Sequence, residues 1–548
     1  MKEIMNKFNL LRYILVIVIA VSSLPSIHAQ VVYLSTTHPV YDFLKRLEAK
    51  QVINGYRDAA RPLSRKSIAQ FLLVLEEKRD ILSPTEREQF EYYKTEFSYE
   101  MTSQGEDAFP TDLRWHPLSF ELYDGVINFN LNYRVSFRRQ EDQKLDVRGQ
   151  GVRTYGYLYK NLGFYFNFVD TRESGNAINI PKIHTPEQGV IPSGLSGTNS
   201  REHNFTDVQL TYQFGKAELS VEKMENVWGL GTRGQLTFSR KPPTYPQFKL
   251  RIPLSKSIDF IYLHADLNSN EIDSSRSYFA NTSALTQFFR PVNRNKYLAA
   301  HMIEFTPFDG IDVSLGESII YSDRNVQLMY LLPIMFFKSG EHYNRDTDNS
   351  QFFGNLDLNL IPHVNLYASL FIDEIALAYL TDEVNRRNQL GFTVGTRVFD
   401  ALIPDLDLQL EYTRNNPWVY THKFPAADFT NSDTNYVLGH WIGQNADLFY
   451  AEASYWIRWN LKAQISYERY RKGGRTDILN QYSSPAEDFL YGPVRKHEYV
   501  GLGVRYEPLR DLFIDANARQ VNIWNEANPS SNISKQYEFL LSFSYGLW

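Results

Sequence analysis

Four histidines, His301, His342, His422 and His440, and three carboxylates, Glu317, Asp373 and Asp447, are of types that would serve acid-base chemistry in this 548-residue chain. Such chemistry needs a base within hydrogen-bond reach of a nucleophile or a water. The seven keep no recognisable catalytic spacing, so they read as polar groups of a lumen or of loops. Gly229-Leu230-Gly231-Thr232-Arg233-Gly234 matches the dinucleotide fingerprint letter by letter. That motif works by opening a helix whose N-terminus holds a pyrophosphate, and strand-like Gln235 to Ser239 follow it here. The glycines therefore read as a strand bend or close packing. Asp346, Asp348, Ser350 and Asp357 have the flavour of a calcium loop. The sixth position is Gln351 instead of glycine, however, and the twelfth is Asp357 instead of glutamate. Solvated charge is the simpler reading, and no metal or cofactor is expected. Trp228, Tyr245, Trp418, Tyr420, Trp441 and Trp456 interleave with polar residues as sugar-stacking rings would. An aromatic girdle at a membrane interface accounts for most of them, which leaves the loop residues Trp418 and Trp441 as sugar candidates.

The elements that must position these residues fall into three parts. Residues 1–29 read as a secretory signal: Lys2, Lys7 and Arg12 form a basic start, Tyr13 to Val21 are apolar, and Ile27-His28-Ala29 resembles a cleavage site. Residues 30–110 carry helical periodicity at Val40, Phe43, Leu44 and Leu47 and again at Ile68, Phe71, Leu72 and Leu75. Ser64 starts the second of these helices, Ser83-Pro84 with Glu86 caps a third, and Asn54-Gly55 breaks the chain after the first. This segment is expected to be a small periplasmic piece or a plug at the mouth of the remainder.

Residues 111–548 change to a period of two. Ile127, Phe129, Leu131, Tyr133, Val135 and Phe137 alternate with Asn128, Asn130, Asn132, Arg134 and Ser136. Leu406, Leu408, Leu410 and Tyr412 alternate with Asp405, Asp407, Gln409 and Glu411, and Leu461, Ala463, Ile465 and Tyr467 with Lys462, Gln464 and Ser466. At the end Tyr537, Phe539, Leu541, Phe543, Tyr545 and Leu547 share one face. Trp548 closes the chain as in an outer-membrane insertion signal, although one residue out of the usual register. Long alternation of this kind is a strand pattern. With 36 Tyr, 36 Phe and 8 Trp in a chain of mean hydropathy −0.39, it predicts an all-β fold, a large antiparallel transmembrane β-barrel with an apolar outer face and a polar lumen. At about 24 residues per strand and connection the count is roughly 16 to 18 strands. The polar stretches 174–203, 268–295, 341–355, 415–444 and 472–495 are expected to be outer loops. Away from the signal the longest apolar run, Met329 to Phe337, is too short for a spanning helix. The lack of cysteine excludes disulfides, a thiol nucleophile and a lipid-modified cysteine anchor. A formal net charge of −6 argues against nucleic acid as partner.

VWGLGTRGQLTFSRKPPTYPQFKL from Val227, LGESIIYSDRNVQLMYLLPIMFF from Leu315, DNSQFFGNLDLNLIPHVNLYASLFIDE from Asp348, EYTRNNPWVYTH from Glu411 and LGHWIGQNADLFYAEASYW from Leu438 resemble the Wzi family of capsule assembly proteins. The resemblance implies a non-enzymatic outer-membrane barrel that holds capsular or exopolysaccharide at the cell surface of a Gram-negative bacterium. With no cofactor and no chemical step, it would work as a lectin, with outer-membrane lipid around it. Residues of the matching stretches that would meet sugar are Trp228, Arg233, Glu317, Arg324, Asp348, Asn349, Asp357, Asp373, Trp418, Tyr420, His422, His440 and Trp441. VINGY from Val52 and RPLSRKSIAQFLLVL from Arg61 also resemble part of a surface-layer homology module, which implies peptidoglycan as a further partner. A diffusion porin or sugar-specific channel is the alternative, and a barrel hydrolase a third reading.

Overall fold

A computed structural model describes residues 31–102, 111–122, 125–159, 161–179, 182–183, 185–197, 199–283, 286–375, 388–432, 434–474, 478–482 and 484–547. The stretch expected to be a signal, residues 1–29, and Trp548 lie outside the described residues. Among these residues no helix is long and apolar enough to cross a membrane.

The helical periodicity of the N-terminal piece is realised in α1 (Val40–Ala49), α2 (Arg65–Glu77), α3 (Pro84–Glu96) and the short α4 (Ser98–Thr102). Ser64 caps α2 by accepting from the Ser67 amide, and Ser83 with Glu86 forms a reciprocal capping box on α3, each satisfying amides that a first turn leaves open. Gly55 turns the chain after α1 at φ +72°. Leu44, Leu47, Ile68, Leu72, Leu75, Phe90 and Phe97 make one buried core between these helices.

The remainder closes into an antiparallel barrel of 18 strands. They are β1 (Gly125–Gln140), β2 (Gln143–Leu158), β3 (Leu162–Gly175), β4 (Ser200–Phe214), β5 (Ala217–Met224), β6 (Tyr245–Ser255), β7 (Ile258–Ile272), β8 (Asn293–Phe308) and β9 (Ile311–Ser322). The second half is β10 (Asn349–Ile361), β11 (Val364–Glu374), β12 (Gln389–Val398), β13 (Leu406–Asn415), β14 (Ala446–Arg458), β15 (Leu461–Lys472), β16 (Arg495–Leu509), β17 (Leu512–Asn525) and β18 (Ile533–Tyr545). Each pairs with its neighbour in sequence. The register Phe543↔Val135 and Tyr545↔Tyr133 closes the ring between β18 and β1.

Seven tight turns and the connection 399–405 lie at one end, and the long loops, with the tight turn 141–142, at the other, the asymmetry of an outer-membrane barrel whose short turns face the periplasm. Leu131, Val152, Leu210, Val221, Leu370, Val394, Leu410, Ile465, Leu502 and Phe539 are exposed around the outer wall, as the alternation predicts. All five expected outer loops have counterparts, except that β10 already begins at Asn349, inside the predicted 341–355 stretch.

Two departures from simple alternation matter. Residues 225–244, between β5 and β6, fold into the lumen, where Val227–Trp228 pairs with Ala60–Arg61 of the helical piece. The lumen next to them is apolar: Ile261, Leu263, Ala265, Leu298, Ala300 and Met302 point inward onto Phe238, Tyr420, Phe429 and Leu438. The helical piece sits at the short-turn end. Lys45 bonds Asp357 of β10 at 2.6 Å. Arg46 pairs with Asp400 and Asp407, Arg57 reaches Asp259 of β7 at 3.0 Å, and Arg114, just after the helices, binds Glu96 and Asp511. The inward carboxylates that suggest a wet interior are thus largely answered by guanidinium and ammonium groups.

Candidate functional site

The inward loop 225–244 is pinned by an unusual use of one carboxylate. Glu411 of β13 accepts the Thr232 amide at 2.6 Å, the Arg233 amide at 2.9 Å and the Tyr367 hydroxyl at 2.7 Å. With its backbone held on β13, Arg233 extends its side chain past β14 to Glu468 of β15 at 2.6 Å and lies 4.9 Å from the Tyr450 ring centre. The fingerprint glycines serve close packing, as the sequence suggested. A Cβ on Gly234 would stand 2.8 Å from the His440 ring, and Gly229 has φ +123°.

A second loop, residues 416–445, closes over the first. Tyr420 donates its hydroxyl to the Leu236 carbonyl at 2.7 Å and its amide to Asp373 at 2.6 Å. The Trp441 indole N–H donates to the Arg233 carbonyl at 2.6 Å, and its ring centre lies 5.2 Å from that of Tyr470. Burial, reinforced by Arg233, pushes His440 down to about 3, so it is a neutral imidazole. Burial likewise pushes His422 down to about 4.

Between these loops and the outer halves of β14 to β18 is a cavity of about 330 Å³. Trp441, Tyr450, Tyr470 and Tyr499 supply its aromatic surface. Its charges come in pairs: Arg233 with Glu468, and Arg519 with Glu538 at 2.7 Å, the Arg519 guanidinium lying 4.4 Å from the Tyr499 ring centre. The cavity shares Arg138, Glu187 and Leu540 with a second one of about 480 Å³ beside β1 to β4. It shares Gln464 and Asn517 with a third of about 470 Å³ that borders α1 and α3. Flat rings beside paired donors and acceptors suit polyhydroxylated rings, which present apolar C–H faces and hydroxyl edges.

Of the thirteen residues singled out in the sequence, Arg233 and Trp441 line this cavity. Trp228 and Tyr420 are buried in the lumen's apolar core. Trp418 is buried too, its amide donating to Gln444 at 3.0 Å. Asp357 holds Lys45, Asp373 holds the Tyr420 amide and Asn349 donates to the Ala427 carbonyl at 3.0 Å. His440 is buried against Gly234, and the His422 amide donates to Asp428 at 2.8 Å. Asp348 is buried, pairs with Arg324 and accepts the Tyr330 hydroxyl at 2.6 Å. Glu317 stands apart on the outer wall, 3.1 Å from His301. Beyond this His301–Glu317 pair the acid-base candidates lie in separate settings, and among the described residues no group of three or more His, Asp or Glu is placed to hold a metal.

Sequence reasoning missed Tyr450, Glu468, Tyr470, Tyr499, Arg519 and Glu538. A signal was available: continuing the inward row Lys462, Gln464, Ser466 along β15 gives Glu468 and Tyr470.

The sequence matches the family described as capsule assembly protein Wzi over residues 127–527. No curated protein sequence matches it. Among solved structures, it is similar to Wzi of Escherichia coli, an outer-membrane protein involved in group 1 capsule assembly and described as a carbohydrate-binding β-barrel. The match covers 95% of this chain and 100% of that one at 12% identity, with a TM-score of 0.55. OprD of Pseudomonas aeruginosa (14% identity, 76% of this chain and 94% of that one, TM-score 0.42) and OccAB2 of Acinetobacter baumannii (10%, 76% and 97%, 0.42) are more distant.

Proposed function

The chain belongs to the Wzi capsule assembly family, an outer-membrane barrel family and not one of enzymes, and from that premise we propose that it retains capsular polysaccharide by binding it in the cavity under the outer loops. The observation that carries this reading is the cavity's lining: Trp441, Tyr450 and Tyr499 beside the Arg233–Glu468 and Arg519–Glu538 pairs, all at the outer end of the barrel. Sugar C–H faces stack on the rings, while hydroxyls exchange hydrogen bonds with guanidinium and carboxylate groups. The Escherichia coli relative's description as carbohydrate-binding supports the same ligand class. Of the remaining sequence candidates, those in the apolar core support the loops that shape the cavity, and those on the outer wall hold the segment between β9 and β10.

The test is binding of purified capsular polysaccharide to the barrel in nanodiscs. Saturable binding that weakens when Trp441 or Tyr450 is replaced supports the site, and binding indifferent to both removes it. The exposed apolar outer wall takes outer-membrane lipid as its surroundings. Lys78, Arg79 and Ile81 are exposed on the helical piece, and a peptidoglycan contact would use that edge. The residues shared between successive cavities favour a second reading, a narrow sugar-specific channel. Steady single-channel conductance would support it, whereas the helical piece acting as a plug predicts little current.

A further inference from the structure

Residues 323–348, between β9 and β10, leave the outer end of the barrel and turn outward. Their partners are side chains on the outer faces of β6 to β10. Tyr262 donates to the Tyr330 carbonyl at 2.6 Å, and the Gln327 amide donates to the Tyr321 hydroxyl at 3.3 Å. Tyr262, Ala299, Ile319, Tyr321, Tyr330 and Phe337 form one buried cluster. The Phe336 ring lies 6.1 Å from Phe352, itself on the outer face of β10. At the lowest point the Phe337 amide donates to Glu317 at 2.9 Å. Glu317 is midway along β9 and pairs with His301 across the strands, so the segment reaches half-way down the wall.

This explains why β7 to β9 lack simple alternation. In β7, Ile261, Leu263 and Ala265 face the filled lumen, while Phe260, Tyr262 and His264 face this segment. A strand covered on both faces loses its polar row.

No described residue covers the segment's other face. Leu328 is 81% exposed, Ile334 86%, Leu332 56% and Phe336 55%. No charged residue occurs from Asn325 to Phe337. The exposed side chains continue the lipid-facing row of the neighbouring strands, Ile303, Leu315 and Leu356. Charge returns with Lys338, His342, Arg345 and Asp346, where α5 (Phe337–Tyr343) leads the chain back toward β10.

We propose that residues 326–337 are a strap embedded in the outer leaflet of the membrane, lying against the outside of the barrel wall with Leu328, Leu332, Ile334 and Phe336 among lipid acyl chains. The strap keeps the His301–Glu317 pair out of hydrocarbon, where an outward ionisable pair at mid-wall would be unfavourable. Acyl chains are the occupant because the strap's exposed face is apolar, free of charge and continuous with the lipid-facing belt. The proposal rests on the barrel's spanning a membrane.

The chain's lack of cysteine allows single spin labels to be placed without further changes. Leu328→Cys, Ile334→Cys, Leu502→Cys on the far wall and Ser530→Cys in an outer loop are labelled in the full-length barrel in liposomes. Collision rates are then measured with oxygen, which concentrates in lipid, and with a polar nickel chelate, which stays in water. Labels at positions 328 and 334 are expected to match that at 502, and to differ from that at 530. If 502 reports lipid while 328 and 334 report water, the strap is overturned and the membrane reading stands. If 502 also reports water, the membrane reading itself fails. Low access to both probes at 334 would mean that protein covers the strap, which also overturns the proposal. Ile334→Trp provides a second readout, with quenching by acyl-brominated lipid expected to exceed quenching by aqueous iodide.

Discussion

Replacing Arg46 by alanine tests how the helical piece is held in the barrel. Arg46 is almost fully buried on α1. Its Nε donates to Glu86 at 2.9 Å, and its two terminal nitrogens reach Asp400 and Asp407. Lys50 bonds Glu86 at 2.6 Å and Asp400 at 3.0 Å, and His363 lies 3.2 Å from Asp400, so after Arg46→Ala these two carboxylates keep a partner while Asp407 loses its guanidinium. Removing one member of a buried charged group costs about 3–5 kcal/mol because the other charges stay desolvated. If that loss falls on the docking of α1, the undocked population rises by about a hundredfold to a few thousandfold. Hydrogen exchange read by mass spectrometry on the barrel in nanodiscs resolves this. Amides of α1 and α3 should exchange faster by about two orders of magnitude or more, while those of β14 to β18 keep their rates. Adding Asp400→Asn and Asp407→Asn should recover a large part of the protection, since it removes the unanswered charge. Exchange in α1 unchanged within about threefold would refute the reasoning, because the cluster would then not hold the helices.

The same groups set a pH dependence. Burial alone would raise Glu96 and Glu86, but Arg114 and Arg65 outweigh it at Glu96, and Lys50 and Arg46 at Glu86, holding both carboxyls below their ordinary range. A depressed folded value stabilises above the unfolded value of about 4.3 and is lost as pH falls through the folded one. The helical piece should therefore loosen below about pH 4 while the barrel persists, as α1 exchange against far-ultraviolet circular dichroism would show. Gly234→Ala forces a methyl into the His440 ring and should lower the thermal midpoint by an amount equivalent to about 1–3 kcal/mol. Trp441→Ala should weaken polysaccharide binding about 5- to 30-fold, a loss of about 1–2 kcal/mol. Trp228→Phe, in the buried core, should alter stability and leave the dissociation constant alone.

The barrel was legible because strands with an exposed apolar face on one side and polar groups on the other keep strict alternation, as in β1, β13, β15 and β18. The three main N-terminal helices were legible from local signals, the apolar faces and the Ser64 and Ser83 caps. The filling of the lumen was not, since its ties join distant positions: Thr232 and Glu411 are 179 residues apart, and a glycine-rich loop does not announce which wall it will meet. The candidate site was visible only in part for the same reason. Arg233 and Trp441 stand in distinctive loop sequences, whereas Tyr450, Tyr499 and Arg519 are ordinary inward positions whose grouping arises when the sheet closes. Glu317 and Arg324 drew attention by their types, and their setting on the outer wall depends on where the segment after β9 folds.

The central claim, that the cavity under the outer loops holds the capsule on the cell, is most directly tested by the partition of polysaccharide between cells and medium at matched total production. Strains would carry the intact chain, no chain, or the chain with Trp441→Ala and Tyr450→Ala inserted at normal abundance. The account predicts cell-bound polysaccharide with the intact chain and release into the medium in the other two. Retention by the double variant equal to that of the intact chain would contradict it.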